Sequence, residues 1–153
     1  MKQIMILVVL VTLTACGPKV KKSIDNIIKE TNSYVSEINT NRQLTKISSE
    51  GALTDPSGFK DKGHYALNNY YSKSDDELYR IENIETTNEV VAENFYFKDD
   101  NLVFISTQTN RNTPMKLYIY KGKVINQSGI DLVYQNILLN KVKLLKREFK
   151  NRI

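Results

Sequence analysis

Residues able to do chemistry are few in this chain. It has one cysteine, Cys16, and one histidine, His64, among 153 residues. A single thiol cannot form a disulfide within the chain, and a single imidazole supports neither a two-histidine zinc site nor a Ser/His/Asp triad. His64 falls in a strand-like run and reads as structural. The acidic candidates are two turns, Asp75-Asp76-Glu77 and Asp99-Asp100. Neither has the alternating acids and glycine of a calcium loop, so both read as solvated turn carboxylates. A carboxylate pair for glycoside hydrolysis would have to be assembled by the fold, and no pair is singled out. There is no glycine-rich phosphate loop, and Asn126-Gln127-Ser128 matches the glycosylation triplet by chance. The sequence therefore assigns no catalytic, cofactor-binding or metal-ligating residue, and the chain reads as a non-enzyme.

Cys16 stands out by its surroundings. Lys2, an apolar run over residues 4–13 and small residues beyond it have the layout of a secretory signal. A spanning helix would need about 20 apolar residues to cross roughly 30 Å of hydrocarbon, and Thr12, Thr14, Gly17 and Pro18 end the run well short of that. Leu13-Thr14-Ala15-Cys16 resembles the lipobox of bacterial lipoproteins. The resemblance implies a diacylglyceryl group on the Cys16 thiol, cleavage after residue 15 and Cys16 as the mature N-terminus. The chemistry suits sulfur, the most nucleophilic side chain near neutral pH. Two or three acyl chains such as palmitate, each buried methylene contributing about 0.8 kcal/mol, would hold the chain on a membrane where one would not. The expected divisions are a signal peptide over 1–15, a lipidated basic tether over 16–22 and a single domain over 23–153. The expected location is the bacterial cell envelope, and the lack of an acidic run after Cys16 points to the periplasmic side. Lys19, Lys21 and Lys22 in the tether suit either attraction to anionic headgroups or a solvated spacer.

The domain opens on a helix. Ser23 is placed to cap it, and Ile24, Ile27, Ile28, Thr31, Val35 and Ile38 recur at spacings of three and four, which puts a stripe against a sheet. Asn39-Thr40-Asn41 ends it. From Leu44 onward β-branched and aromatic runs alternate with polar turns, giving strands over 64–71, 78–85, 90–97, 102–107, 115–120 and 124–125. Gly51, Asp55-Pro56-Ser57-Gly58 and Asp61-Lys62-Gly63 read as breaks before the first of these. Phe95-Tyr96-Phe97 and Leu102-Val103-Phe104-Ile105 make one hairpin around Lys98-Asp99-Asp100-Asn101, and Lys121-Gly122 marks another. Such short connections require an antiparallel meander of five or six strands. A C-terminal helix follows, with Ile130, Val133, Tyr134, Ile137, Leu138, Leu145 and Phe149 on its stripe. Lys141, Lys143, Lys146, Arg147, Lys150 and Arg152 load its final turns, where cations complement the helix dipole. The fold class is α+β.

The layout over 24–125 resembles a group of small, uncharacterised bacterial exported proteins with a helix followed by a meander, which implies a fold and an envelope location and transfers no catalytic residue. Tyr65, Tyr70, Tyr71, Tyr96, Tyr118 and Tyr120 are the candidates for recognition if the sheet is covered on one side only. Three function classes follow: a non-enzymatic binding or structural lipoprotein meeting an envelope protein or glycan, an inhibitor or immunity protein using the loop 108–114, and a hydrolase with converging acids. The first asks for no absent residue and ranks first. Nucleic acid is not an expected partner of an exported chain, despite a pI near 9.2.

Overall fold

The computed structural model describes residues 22–153 except position 111. Helix α1 (Ile24–Thr40) precedes seven strands, β1 (Thr45–Thr54), β2 (Asp61–Tyr71), β3 (Leu78–Thr86), β4 (Val90–Lys98), β5 (Asn101–Thr109), β6 (Met115–Tyr120) and β7 (Lys123–Ser128), and helix α2 (Leu132–Lys150) closes the order. The strands form one antiparallel sheet in sequence order β1 to β7. Two helices on an antiparallel sheet make this an α+β fold, with seven strands in place of the five or six expected.

The added strand is β1, which the breaks around Gly51 had concealed. It is an edge strand whose residues alternate between half-buried and exposed, so it lacks the apolar run that marks an inner strand. Gly51 lies opposite Tyr65, and a side chain there would meet the Tyr65 ring at 2.9 Å. The glycine admits the ring and is no turn residue.

Ser23 caps α1, its hydroxyl accepting from the Asn26 amide at 3.2 Å, and Asp131 caps α2 through the Tyr134 amide at 2.7 Å. The hairpins read from Lys98-Asp99-Asp100-Asn101 and Lys121-Gly122 are both present, with Asp99-Asp100 and Lys121-Gly122 as their turns. All four residues have φ between 50° and 75°, as a two-residue type I′ turn requires. After each of these turns the returning strand carries one extra residue, Val103 in β5 and Ile125 in β7, and Tyr79 plays the same part in β3.

Alternation along the strands splits the core in two. One face carries Leu67, Ile81, Phe95, Ile105 and Leu117 under α2, which contributes Leu138, Val142 and Phe149. The other carries Tyr96, Phe104 and Tyr118 under α1, which contributes Ile38. The sheet is thus covered by a helix on each face. The premise of a once-covered sheet fails, and with it most of the exposed-tyrosine expectation. Tyr71, Tyr96 and Tyr118 are buried, Tyr65 and Tyr70 half-buried, and only Tyr120 of the six is exposed.

Candidate functional site

Three features of the described residues concentrate polar or cleft-forming groups. The deepest is a charged cluster under α2. Asn83, Glu85 and Glu93 share the face of β3 and β4 that also carries Ile81 and Phe95, and Asn83 pairs directly with Glu93 in the register. Lys141 of α2 donates to Glu93 Oε2 at 2.8 Å and Oε1 at 3.0 Å, and to Glu85 Oε1 at 2.9 Å. The Asn83 amide donates to both carboxylates at 2.9 Å. Glu93 is 2% exposed, while Lys141 and Glu85 remain partly open to solvent. Beside Glu93 in the next strand, Thr107 Oγ1 meets Tyr134 Oη of α2 at 3.1 Å.

The electrostatics define what this cluster can do. Burial pushes the Glu85 carboxyl up, but hydrogen bonds from Asn83 and Lys141 outweigh it and leave it below the usual carboxylate range. Burial pushes Lys141 down, but Glu93 and Glu85 outweigh that and hold the ammonium above its usual value. An acid held ionised cannot donate a proton near neutral pH, and an amine held protonated is no nucleophile. The three ammonium protons are spent on two carboxylates. The fold does bring two acids together, and it ties both to one lysine.

A second feature lies on the opposite face. Reading the register across all seven strands, Ser48, Asn68, Glu82, Asn94, Ser106, Lys116 and Ser128 form one unbroken polar row. The adjoining row toward the hairpin turns is Tyr70, Arg80, Tyr96, Phe104 and Tyr118, and α1 clasps it. Tyr96 Oη donates to Asn39 Oδ1 at 2.9 Å, Arg80 donates to the same oxygen at 2.7 Å, and Tyr118 Oη donates to Asn32 Oδ1 at 3.0 Å. In the polar row, Asn68 bonds Ser48 at 2.8 Å and Glu82 at 2.9 Å. Ser48, Lys116 and Ser128 are exposed and Glu82, Asn94 and Ser106 half-buried.

The third feature is a cleft of about 260 Å³ between α2 and the turns of β4–β5 and β6–β7. Phe97, Leu102, Ile119 and Val142 form apolar walls, with Lys143 and Lys146 among its lining. It falls just below the roughly 300–1,000 Å³ of small-molecule sites.

The residue on which the sequence reading staked a modification, Cys16, lies outside the described residues. His64 is exposed on β2 between Ala52 and Thr86. The acidic turns serve the fold: Glu77 accepts from the Asp99 amide at 3.1 Å and from Tyr79 Oη at 2.8 Å, and Asp100 pairs with Lys146 at 2.8 Å and Lys150 at 3.1 Å. At the start of the 108–114 loop, Asn110 exchanges bonds with Val90 in both directions at 2.8 and 3.0 Å, which continues the β4–β5 pairing. Glu93 and Lys141 were missed as partners. Their signal is a charge on an apolar face: Glu93 lies between Val91 and Phe95 in β4, and Lys141 falls beside Leu138 and Val142 in α2.

No family model, curated protein or solved structure matches the chain. Function must be read from its own residues.

Proposed function

We propose that this protein is a lipid-anchored lipoprotein of the bacterial envelope, periplasm-facing, that acts as a non-enzymatic binding or structural module. The observation that carries the reading is the polar row across the seven strands beside α1. Neighbouring strands lie about 4.8 Å apart, so an extended polar ligand crossing the sheet meets an accessible hydroxyl, amide or charged group at every strand but β2, where Asn68 is buried under its bonds to Ser48 and Glu82. Such a surface suits an envelope glycan or the polar stretch of a partner protein. The lipobox-like Leu13-Thr14-Ala15-Cys16 supports the anchor. The internally paired Lys141 cluster supports a binding role over a hydrolytic one, because its acids are committed to an ammonium.

The test is a pull-down from native envelope membranes with the full-length protein beside its Asn94→Ala/Ser106→Ala variant, with metabolic labelling by a palmitate analogue in wild type and Cys16→Ser. A partner or glycan retained by wild type and lost by the row variant supports the reading. Label absent from wild type would remove the anchor, and equal retention by both forms would remove the binding face.

A further inference from the structure

The described chain begins at Lys22, whose ammonium pairs with Glu30 at 2.6 Å, beside Tyr120 at the end of β6. Lys22 is six residue steps from Cys16 in the sequence, which span at most about 21 Å even when fully extended. A lipid on Cys16 therefore keeps one end of the sheet, the end with the β4–β5 and β6–β7 turns, close to the bilayer.

The charges at that end are divided between its corners, with Asp75, Asp76 and Glu77 of the β2–β3 turn gathered beside Asp99 and Asp100 and the unpaired lysines toward β6–β7. On α2, Lys141, Lys146 and Lys150 are engaged with Glu85, Glu93 or Asp100, so half of the basic residues foreseen for this helix are paired. Lys22 is matched by Glu30, and Lys98 lies over the Tyr34 ring at 5.3 Å with Asp99 next in the chain. Among the described residues, Lys121, Lys123 and Lys143 have no carboxylate within ion-pair distance, and all three are exposed. They lie together: Lys121 and Lys123 flank Gly122 at the turn, and Gly122 and Lys143 line the same apolar cleft. Lys121 also sits over the Tyr120 ring at 5.3 Å, and Tyr120 is 36% exposed. An exposed tyrosine among unpaired lysines suits the interface of a bilayer, where the ring sits at headgroup depth and the ammonium groups meet phosphate.

We propose that the β6–β7 corner, formed by Tyr120, Lys121, Lys123 and Lys143, is the surface that docks on an anionic phospholipid bilayer. The inference rests on the lipid-anchored reading for its orientation. Its occupant is set by charge complementarity and by where the tether ends.

The experiment uses the full-length protein reconstituted into vesicles of phosphatidylcholine alone or of equal parts phosphatidylglycerol and phosphatidylcholine. Lysines are acetylated with a limiting reagent, and each position is followed by mass spectrometry. Docking slows labelling of Lys121, Lys123 and Lys143 by about fivefold or more in the anionic vesicles. High salt restores it, and Lys62 at the opposite end of the sheet is unaffected. In the Lys121→Glu/Lys123→Glu variant, with an unchanged far-ultraviolet spectrum, Lys143 loses its protection. Equal labelling of the three lysines in both vesicles overturns the proposal, as does protection centred on Lys62. The same digests report the mass at Cys16, so an unmodified thiol would count against the anchor without deciding the docking result.

Discussion

Lys141 and Glu93 form the most deeply buried ion pair among the described residues, 2.8 Å apart with the carboxylate 2% exposed, and they fix α2 against β4. Taking two charges out of water is costly, and their attraction offsets that cost only while both partners remain. Lys141→Met leaves the Glu93 carboxyl in the core without its ammonium partner. The expected loss is about 3–5 kcal/mol at neutral pH, read from urea unfolding. Adding Glu93→Leu to that variant restores most of it. A single variant as stable as wild type would show that solvent reaches Glu93.

The pH dependence follows from the same groups. Glu85 and Asp100 have carboxyls held below their ordinary values of 4.5 and 3.8, Glu85 by Asn83 and Lys141 against the effect of burial, Asp100 first by Lys146 and then by Lys150. Depressed carboxylates stabilise fully above the unfolded values and lose that contribution as pH falls through the lower folded ones. Lys141 is held above 10.5, and Tyr79 is pushed up to about 12, mainly by its hydrogen bond to Glu77. Groups with raised values stabilise fully below the unfolded value and lose that as pH rises through the folded one. Thermal melting should therefore give a plateau through the neutral range, an acid limb beginning near pH 4 and an alkaline limb beginning above pH 10. Lys146→Ala removes part of the acid limb, and a variant with the wild-type acid limb would contradict the assignment.

How much of this was legible in the sequence depended on whether the information was local. The β4–β5 hairpin was readable because Phe95-Tyr96-Phe97 and Leu102-Val103-Phe104-Ile105 flank a polar turn within a few residues. Ser23 as a cap and the two-residue turn at Lys121-Gly122 were readable for the same reason. Strand β1 was not, because an edge strand has no apolar run to announce it and Gly51 mimics a break. The Lys141–Glu93 pair joins residues 48 positions apart, and the polar row from Ser48 to Ser128 exists only once the register of every strand is set. Single residues such as Ser106 carry no mark of belonging to it.

Two glycines with positive φ should respond differently to substitution. At Gly122, φ is 75° and nothing lies within 4 Å of an added Cβ, so Gly122→Ala carries only conformational strain, about 1 kcal/mol. At Gly63, φ is 143° and an added Cβ would lie 2.0 Å from the Thr86 carbonyl oxygen, which is backbone and cannot turn aside. Gly63→Ala must separate β2 from β3 at their outer end and should cost at least twice as much. Comparable melting temperatures for the two variants would refute the close approach.

Asn69 offers a case in which removing a polar group helps. It is 1% exposed in the row between Ile47 and Ile81, and its Oδ1 has no hydrogen-bond partner. A buried acceptor without a donor costs about 1–3 kcal/mol relative to water, whereas an apolar group of similar shape at the same place carries no such penalty. Asn69→Leu keeps the same branched connectivity with more bulk, and it lies on the face that carries the Leu67, Ile81 and Tyr71 side chains of the larger core cluster. The expected outcome is stability equal to wild type or up to about 2 kcal/mol greater, measured by urea unfolding with an unchanged slope. Asn69→Asp is the control, since a carboxylate at that depth finds no hydrogen-bond donor where Oδ1 lies and should destabilise the protein strongly at pH 7 and much less near pH 4. A loss of stability in the leucine variant that the smaller Asn69→Val does not share would mark overpacking, and a loss in both would mean that the amide holds a partner whose bonds outweigh the cost of burying it.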